Sequence, residues 1–245
     1  MLLKLIVLGC LGIGFTQVSY ARSISVTPVE AVKWEKLNPA RGDKSPQAGT
    51  LWGDRKGSPA TGFLAKFVDG FSSPPHIHNV SYRAIVIAGL VHNDDPKAAT
   101  MWMPTGSYWT QPAGESHITS AKGKTNIALV EIDRGPYLVK PVKEAFDNGE
   151  RPFNIHASNI IWRDNNNHSV VDLWANKDGE VIGSMIKFED KISQEEKNSN
   201  IVVIKGTIKY KKQSLIPGSL IEISGKSKLD LTCASAECIF YLKKS

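Results

Sequence analysis

Apolar and polar positions along the chain alternate in short runs and never settle into a sustained helical period. In the first half the runs 62–68, 82–92, 100–103, 107–111 and 125–133 are rich in branched and aromatic residues. Turns such as Asp69-Gly70, Asn93-Asp94-Asp95-Pro96 and Pro104-Thr105-Gly106 separate them. Short strands at regular spacing, punctuated by turn residues, predict an antiparallel sandwich or barrel. Only 139–147 and 193–198 carry a weak helical pattern, and 146–154, containing Asp-Asn-Gly-Glu-Arg-Pro, reads as a linker.

The same pattern occurs twice. Leu51-Trp52, Lys56-Gly57, Gly62 and Lys66-Phe67 recur as Leu173-Trp174, Lys177-Asp178-Gly179, Gly183 and Lys187-Phe188. Further on, Ile85-Val86-Ile87-Ala88-Gly89 is echoed by Val202-Val203-Ile204-Lys205-Gly206, and Gly106-Ser107 by Gly218-Ser219. The offset drifts from 122 through 117 to 112, steps the size of loop deletions. Two copies of one domain, the second with shorter loops, explain such a drift. The reading divides the chain into a leader, 1–21, a first barrel, 22–150, and a second barrel, 151–245.

The leader reads as a secretory signal peptide. A short basic start is followed by an apolar run over 5–15, and Ser19-Tyr20-Ala21 places small residues at the −3 and −1 positions of a cut before Arg22. The run is well short of the ~20 residues a spanning helix needs, and no comparable run follows. Cys10 lies too early in it for a lipoprotein signal. A secreted or periplasmic protein with no membrane attachment after cleavage is therefore expected.

Composition narrows the picture further. With 41% hydrophobic and 22% charged residues, 20 glycines and 13 prolines in 245 positions, the chain is neither collagen-like, coiled-coil nor disordered. The net charge is +6, one unit of which belongs to Lys4 in the leader. The remainder is spread over both halves, which argues against nucleic acid as a partner. Beyond the leader the cysteines are Cys233 and Cys238, whose spacing is neither a redox CxxC nor half of a zinc quartet. In an oxidising compartment a disulfide across that turn fits.

Three of the six histidines suggest chemistry. Pro74-Pro75-His76-Ile77-His78 sets two imidazoles at i and i+2, which a strand points to one face. The third, His117, follows Gly106-x5-Pro112-x-Gly114. Imidazoles converging from neighbouring strands can hold one divalent ion while leaving coordination positions open. His92, His156 and His168 sit beside turns or in polar runs and read as surface or hydrogen-bonded residues. Trp102, Tyr108 and Trp109 are candidates for the pocket mouth, although alternation lets only one of the adjacent pair face inward. Arg41-Gly42-Asp43 carries no weight as an adhesion tripeptide.

These residues resemble the cupin superfamily. Gly70, His76, His78 and Gly89 match its first motif, G-x5-H-x-H-x3,4-E-x6-G, and Gly106, Pro112, Gly114 and His117 match its second, G-x5-P-x-G-x2-H-x3-N. The wording Gly-Thr-Leu-Trp-Gly-Asp-Arg before Pro-Pro-His-Ile-His is similar to a bacterial bicupin family of unassigned function. That family is itself similar to the ChrR-like cupin domain of zinc-dependent anti-sigma factors and to small diketone dioxygenases. The resemblance implies an all-β fold of two tandem cupin barrels (jelly-roll, double-stranded β-helix), with a divalent metal in the first. Dimerisation by strand exchange is a family-level expectation of the same kind.

Two departures matter. The motif's glutamate position carries Tyr82 and its final asparagine position carries Ala121. What remains is a neutral three-histidine face, as in the diketone-cleaving cupins, suited to Fe(II) or Zn(II), with Mn(II) a further candidate. Glu115, two residues before His117, reads either as a missing oxygen ligand on a continuing strand or as a solvated loop carboxylate. Tyr82 reads either as a donor to bound substrate or as a barrel-filling aromatic. In the second copy the position 112 beyond His117 is Leu229, the stretch aligned with His-x-His reads 193–198 (Ser-Gln-Glu-Glu-Lys-Asn), and no histidine follows His168. The second barrel is therefore expected to serve structure, dimerisation or ligand enclosure. Two functions fit: an exported metal-dependent dioxygenase acting on a small enolisable compound, with Tyr82 or Glu115 handling the proton, or a non-catalytic module that binds or senses a small ligand around a structural zinc. A periplasmic setting, where ferrous iron is harder to keep reduced, favours zinc or manganese.

Overall fold

The computed structural model describes residues 23–245, so the leader lies outside the described residues. Among the described residues, eighteen strands and four short 3-10 turns make up the regular structure. No helix among the described residues is long and apolar enough to cross a membrane. The first barrel is built on a seven-stranded sheet in the order Phe153–Ile155, Tyr108–Gln111, Tyr82–Asp94, Ile118–Ile132, Thr61–Phe67, Gln47–Trp52 and Trp34–Lys36. Its other wall is made by the far halves of the two long strands, where Leu90 to Asp94 pair with Lys122 to Ile118, and by the small sheet of His76–His78 with Val139–Pro141. The second barrel is built on a nine-stranded sheet centred on Cys238–Lys244, Lys191–Lys205 and Leu220–Cys233.

The duplication is visible in hydrogen-bond detail. Trp52 pairs with Gly62 next to a register shift, and Trp174 pairs with Gly183 in the same way. Each indole lies on its glycine so closely that an added Cβ would sit 2.1 Å from Trp52 or 2.0 Å from Trp174. Val86 donates to Ser107 and accepts from Gly106 at 3.0 and 2.9 Å; Val203 does the same with Ser219 and Gly218 at 3.0 and 2.8 Å. The two halves thus repeat one pattern of strands and turns.

Alternation along each central strand sorts side chains onto two buried faces, which is why these strands read as nearly continuous apolar runs. Phe63, Ala65, Tyr82, Val86 and Trp109 point into the first barrel. Leu64, Ile85, Ile87 and Leu129 point the other way, into a seam against Met185, Val202, Leu220 and Ile239 of the second sheet. Tyr108 goes to the seam and its neighbour Trp109 to the barrel, as the alternation requires. The second barrel's interior is filled by Phe188, Ile201, Leu229 and Phe240, and Leu229, at the position equivalent to His117, is 0% exposed.

Two expected helices are absent. The stretch 193–198 lies inside the strand Lys191–Lys205, where Ser193 to Lys197 pair with Asp230 to Lys226. Its Gln and Glu residues favour helix locally, but the long antiparallel ladder overrides a propensity worth only tenths of a kcal/mol per residue. The stretch 139–147 contains the short strand Val139–Pro141 and the single 3-10 turn Val142–Glu144. The run 100–103 contributes only a bridge from Met103 to Val91.

Two short strands cross the 150/151 division. Ser23–Thr27 pairs with Leu220–Cys233 of the second sheet, and Phe153–Ile155, at the end of the linker stretch, pairs with Tyr108–Gln111 of the first. Cys233 and Cys238 are joined by a disulfide, with Cα atoms 5.7 Å apart.

The seam also encloses a buried acid. Glu131 is 2% exposed; its Oε2 accepts from the Tyr241 hydroxyl at 2.6 Å while Oε1 has no partner. Burial raises its carboxyl above the usual range, against the opposing pull of Arg83. A carboxyl with a raised folded-state pKa binds its proton more tightly in the native state. Native stability therefore falls as pH rises from the unfolded value through the raised one. Glu131→Gln is expected to remove that slope and to be more stable than wild type above the window by about 1–3 kcal/mol, the usual cost of an unsatisfied buried group. Urea midpoints of both proteins across pH measure this, and parallel curves would count against it.

Candidate metal centre

His76 and His78 are the ends of a three-residue strand whose middle residue, Ile77, is buried on the opposite side. His117 lies directly across from His76 in an antiparallel bridge, the two main chains exchanging hydrogen bonds of 3.0 Å in each direction. Gly114 of the second motif adopts φ +80 and donates to the His78 carbonyl at 2.8 Å. A Cβ there would come within 2.4 Å of the Phe146 carbonyl, so the turn that delivers His117 needs glycine.

The three imidazoles converge. Their candidate ligand atoms lie within 4.8 Å of one another, and the rings of His76 and His117 are 4.3 Å apart. Nitrogens sharing an ion at about 2.0–2.1 Å are separated by at most ~4.2 Å, so the cluster is within a small ring rotation of holding one. Each Nδ1 faces a main-chain carbonyl: Pro74 for His76 at 2.9 Å, Leu138 for His78 at 3.1 Å, and Glu115 for His117 at 3.2 Å. A carbonyl only accepts, so each Nδ1 carries the proton and each Nε2 presents a lone pair.

The electrostatics agree. Burial, reinforced by the neighbouring imidazoles, lowers His78 well below its ordinary value and brings His117 down to about 3; burial also lowers His76. All three are neutral at pH 7, the form that ligates cations. The Nε2 of His117, in a residue 1% exposed, has no protein partner. An orphaned buried lone pair among two others fits a divalent cation.

The other candidates are placed as follows. Tyr82 lines the barrel with its ring 5.4 Å from that of His78, but its hydroxyl donates to Asn93 Oδ1 at 3.0 Å. Asn93 in turn donates to Gln111 and accepts from Thr119, so the Tyr82 hydroxyl is committed to a buried polar network. Burial pushes it far up, keeping it a neutral phenol. Glu115 takes part through its carbonyl on His117. Its carboxylate, raised chiefly by partial burial, lies in a separate surface pocket with Asp147 and Arg151 and outside the histidine cluster. His92, His156 and His168 have local hydrogen-bond partners away from the cluster.

Sequence reasoning missed Tyr137. Its ring stacks on His78 with centroids 4.3 Å apart, and its hydroxyl lies 3.1 Å from His78 Nε2. It sits in an irregular segment with no periodicity, and only its nearness to a Gly-Pro turn marks it. Above the histidines opens a cavity of about 390 Å³. Phe63, Ala65, Phe67, Phe71, Ala128 and Val130 give it predominantly apolar walls.

Comparison with known proteins agrees with this architecture. A family model described as Domain of unknown function (DUF4437) matches residues 25–245. No curated protein is matched by the sequence. Among solved structures, the chain is similar to a Nostoc punctiforme protein described as a "putative dioxygenase", at 13% identity and TM-score 0.71, covering 91% of this chain and 82% of that one. It is also similar to oxalate decarboxylase from Lactobacillus farciminis, at 10% identity and TM-score 0.58, with 94% and 86% coverage. Vicilin from hazelnut, Corylus avellana, matches at 9% identity and TM-score 0.57, with 89% and 85% coverage. These likenesses show a shared cupin fold.

Proposed function

The chain belongs to the DUF4437 family, and from that premise we propose that it is an exported, three-histidine metal-dependent dioxygenase acting on an enolisable, diketone-like compound. The observation that carries this is an open site: three neutral imidazoles converge with no carboxylate in the cluster, and two of them, His76 and His78, line a cavity of about 390 Å³. A structural zinc site is normally closed by four protein ligands, which favours the catalytic reading over a passive zinc module. The similarity to the Nostoc protein described as a "putative dioxygenase" points the same way.

His76, His78 and His117 would hold the ion, ferrous iron or zinc with manganese a third choice. When bound, a divalent ion supplies Lewis acidity toward an enolised dicarbonyl and, if it is ferrous iron, electrons toward dioxygen. The apolar walls exclude water from the bound compound, and the three carbonyls fix the imidazole orientations. Tyr137 is the protic side chain nearest a ligating nitrogen, so proton handling falls to it; Tyr82 is committed to Asn93 and the Glu115 carboxylate lies elsewhere.

Anaerobic purification with metal analysis, followed by O2 uptake on a panel of β-diketones and hydroxyaryl ketones, tests the proposal. Stoichiometric iron with substrate-dependent O2 consumption is the expected result; zinc with no uptake would favour the binding module. Tyr137→Phe is expected to keep its metal while O2 consumption drops about 100-fold, the lower range for loss of a general acid or base. An unchanged rate would remove Tyr137 from the chemistry.

A further inference from the structure

We propose that the cavity selects a ligand with a flat apolar body and a carboxylate at the end remote from the histidines, and that Arg41 reads that carboxylate. For the end that meets His76, His78 and His117, this rests on the reading above.

The polar groups of the cavity are unevenly placed. Its walls are phenylalanine, alanine and valine, while His78, Tyr82 and Thr119 lie at the buried end and His76 is half-buried beside them. Arg41 lines the same cavity yet is exposed, which puts it at the entrance. A minimal diketone would leave most of about 390 Å³ unfilled, since cavities of this size enclose much larger ligands.

The walls suit a planar body. At the entrance the Arg41 guanidinium lies over the Phe71 ring at 5.2 Å, and Phe71 is 5.2 Å from Phe67. Deeper in, Phe63 meets Tyr137 edge-on at 5.3 Å, and Tyr137 stacks on His78. Aromatic faces therefore border the path from Arg41 toward the histidines, and flat apolar groups pack well against such faces.

The charge of Arg41 is not neutralised by its surroundings. Among the described residues no carboxylate pairs with its guanidinium. Asp43, two residues on, is engaged with Lys36 at 3.1 Å, and Asp69 accepts from the Gly123 N–H at 2.8 Å. The 3-10 segment Pro39–Lys44 that carries Arg41 is tied down at both ends, with Asn38 donating to Ser45 Oγ at 3.0 Å and Leu37 to the Pro46 carbonyl at 2.8 Å. A pre-placed guanidinium at the mouth of an apolar slot is a receptor for a carboxylate and repels cations.

The test uses zinc-loaded protein and two probes in calorimetric titration: 1-phenylbutane-1,3-dione and its analogue bearing a para-carboxylate on the ring. Wild type is expected to bind the carboxylate probe about tenfold more tightly. Arg41→Gln should abolish that preference by weakening only the carboxylate probe, and Arg41→Lys should keep part of it. Equal affinities in wild type, or a preference that survives in Arg41→Gln, would overturn the assignment of Arg41. Absence of binding by either probe would overturn the ligand class. The underlying reading fails separately: if the neutral dione binds equally well with and without zinc, the metal end is wrong, while an Arg41-dependent preference would still stand.

Discussion

Replacing His76, His78 and His117 together by alanine is expected to take bound metal from about one equivalent to essentially none. His76, His78 and His117 form the only cluster of three or more histidine, cysteine or carboxylate groups placed to hold a metal ion among the described residues, so no alternative set is in place to take over. The effect should appear in stability as well as stoichiometry. A ligand that binds only the native state at 1,000 times its Kd adds about 4 kcal/mol, so excess zinc should raise the wild-type melting temperature by many degrees and leave the variant's unchanged. The variant should remain folded, because the apolar faces of both sheets and the seam are untouched. Metal analysis after gel filtration, with thermal melts beside it, decides the matter; an equivalent of metal retained by the variant would refute the site.

Leu64→Ala should cost about 2–5 kcal/mol, the range for truncating a fully buried leucine, and the loss should be shared by both barrels. Leu64 is 0% exposed, yet it points out of its own barrel and into the seam. There its Cδ1 lies 3.2 Å from where a Cβ on Gly218 would be, so it reaches directly across to the second barrel. A cavity opened at that contact weakens the support each sheet gives the other. Unfolding followed by tryptophan fluorescence and by far-ultraviolet circular dichroism should give one coincident transition at a lower denaturant concentration. A second barrel that melts at its original midpoint would show the seam to be passive.

Much of this architecture was legible because it was written twice. The Trp–Gly pairs and the Gly-Ser turns carry local geometric requirements that survive divergence, so they mark equivalent points in both copies. The His-x-His spacing was equally readable, since a period of two has one geometric meaning on a strand. Glu115 was not, because the reading extended the strand backward from His117. The strand begins at Ile118, and Glu115 lies in the irregular segment before it, where alternation no longer sets direction. Tyr137 was hidden for the same reason: it reaches His78 from a segment without periodicity. At 193–198 composition argued for helix and a ladder across to 226–230 argued for strand, and the ladder is invisible to a local window.

The traded edge strands bear on the order in which the protein is made. Residues 23–27 are made before the first sheet, but their partners, Ser224 to Leu220, are made after the whole of it. That edge strand must therefore wait for its partner until the first sheet has been made, while the first sheet gains its own outermost strand once residue 155 has appeared. Folding cannot finish barrel by barrel along the chain; the second sheet is completed by a strand made before the first sheet. A fragment ending at 150 keeps a strand it has no place for and lacks one it needs, so the halves of this duplication are no longer separable at that division.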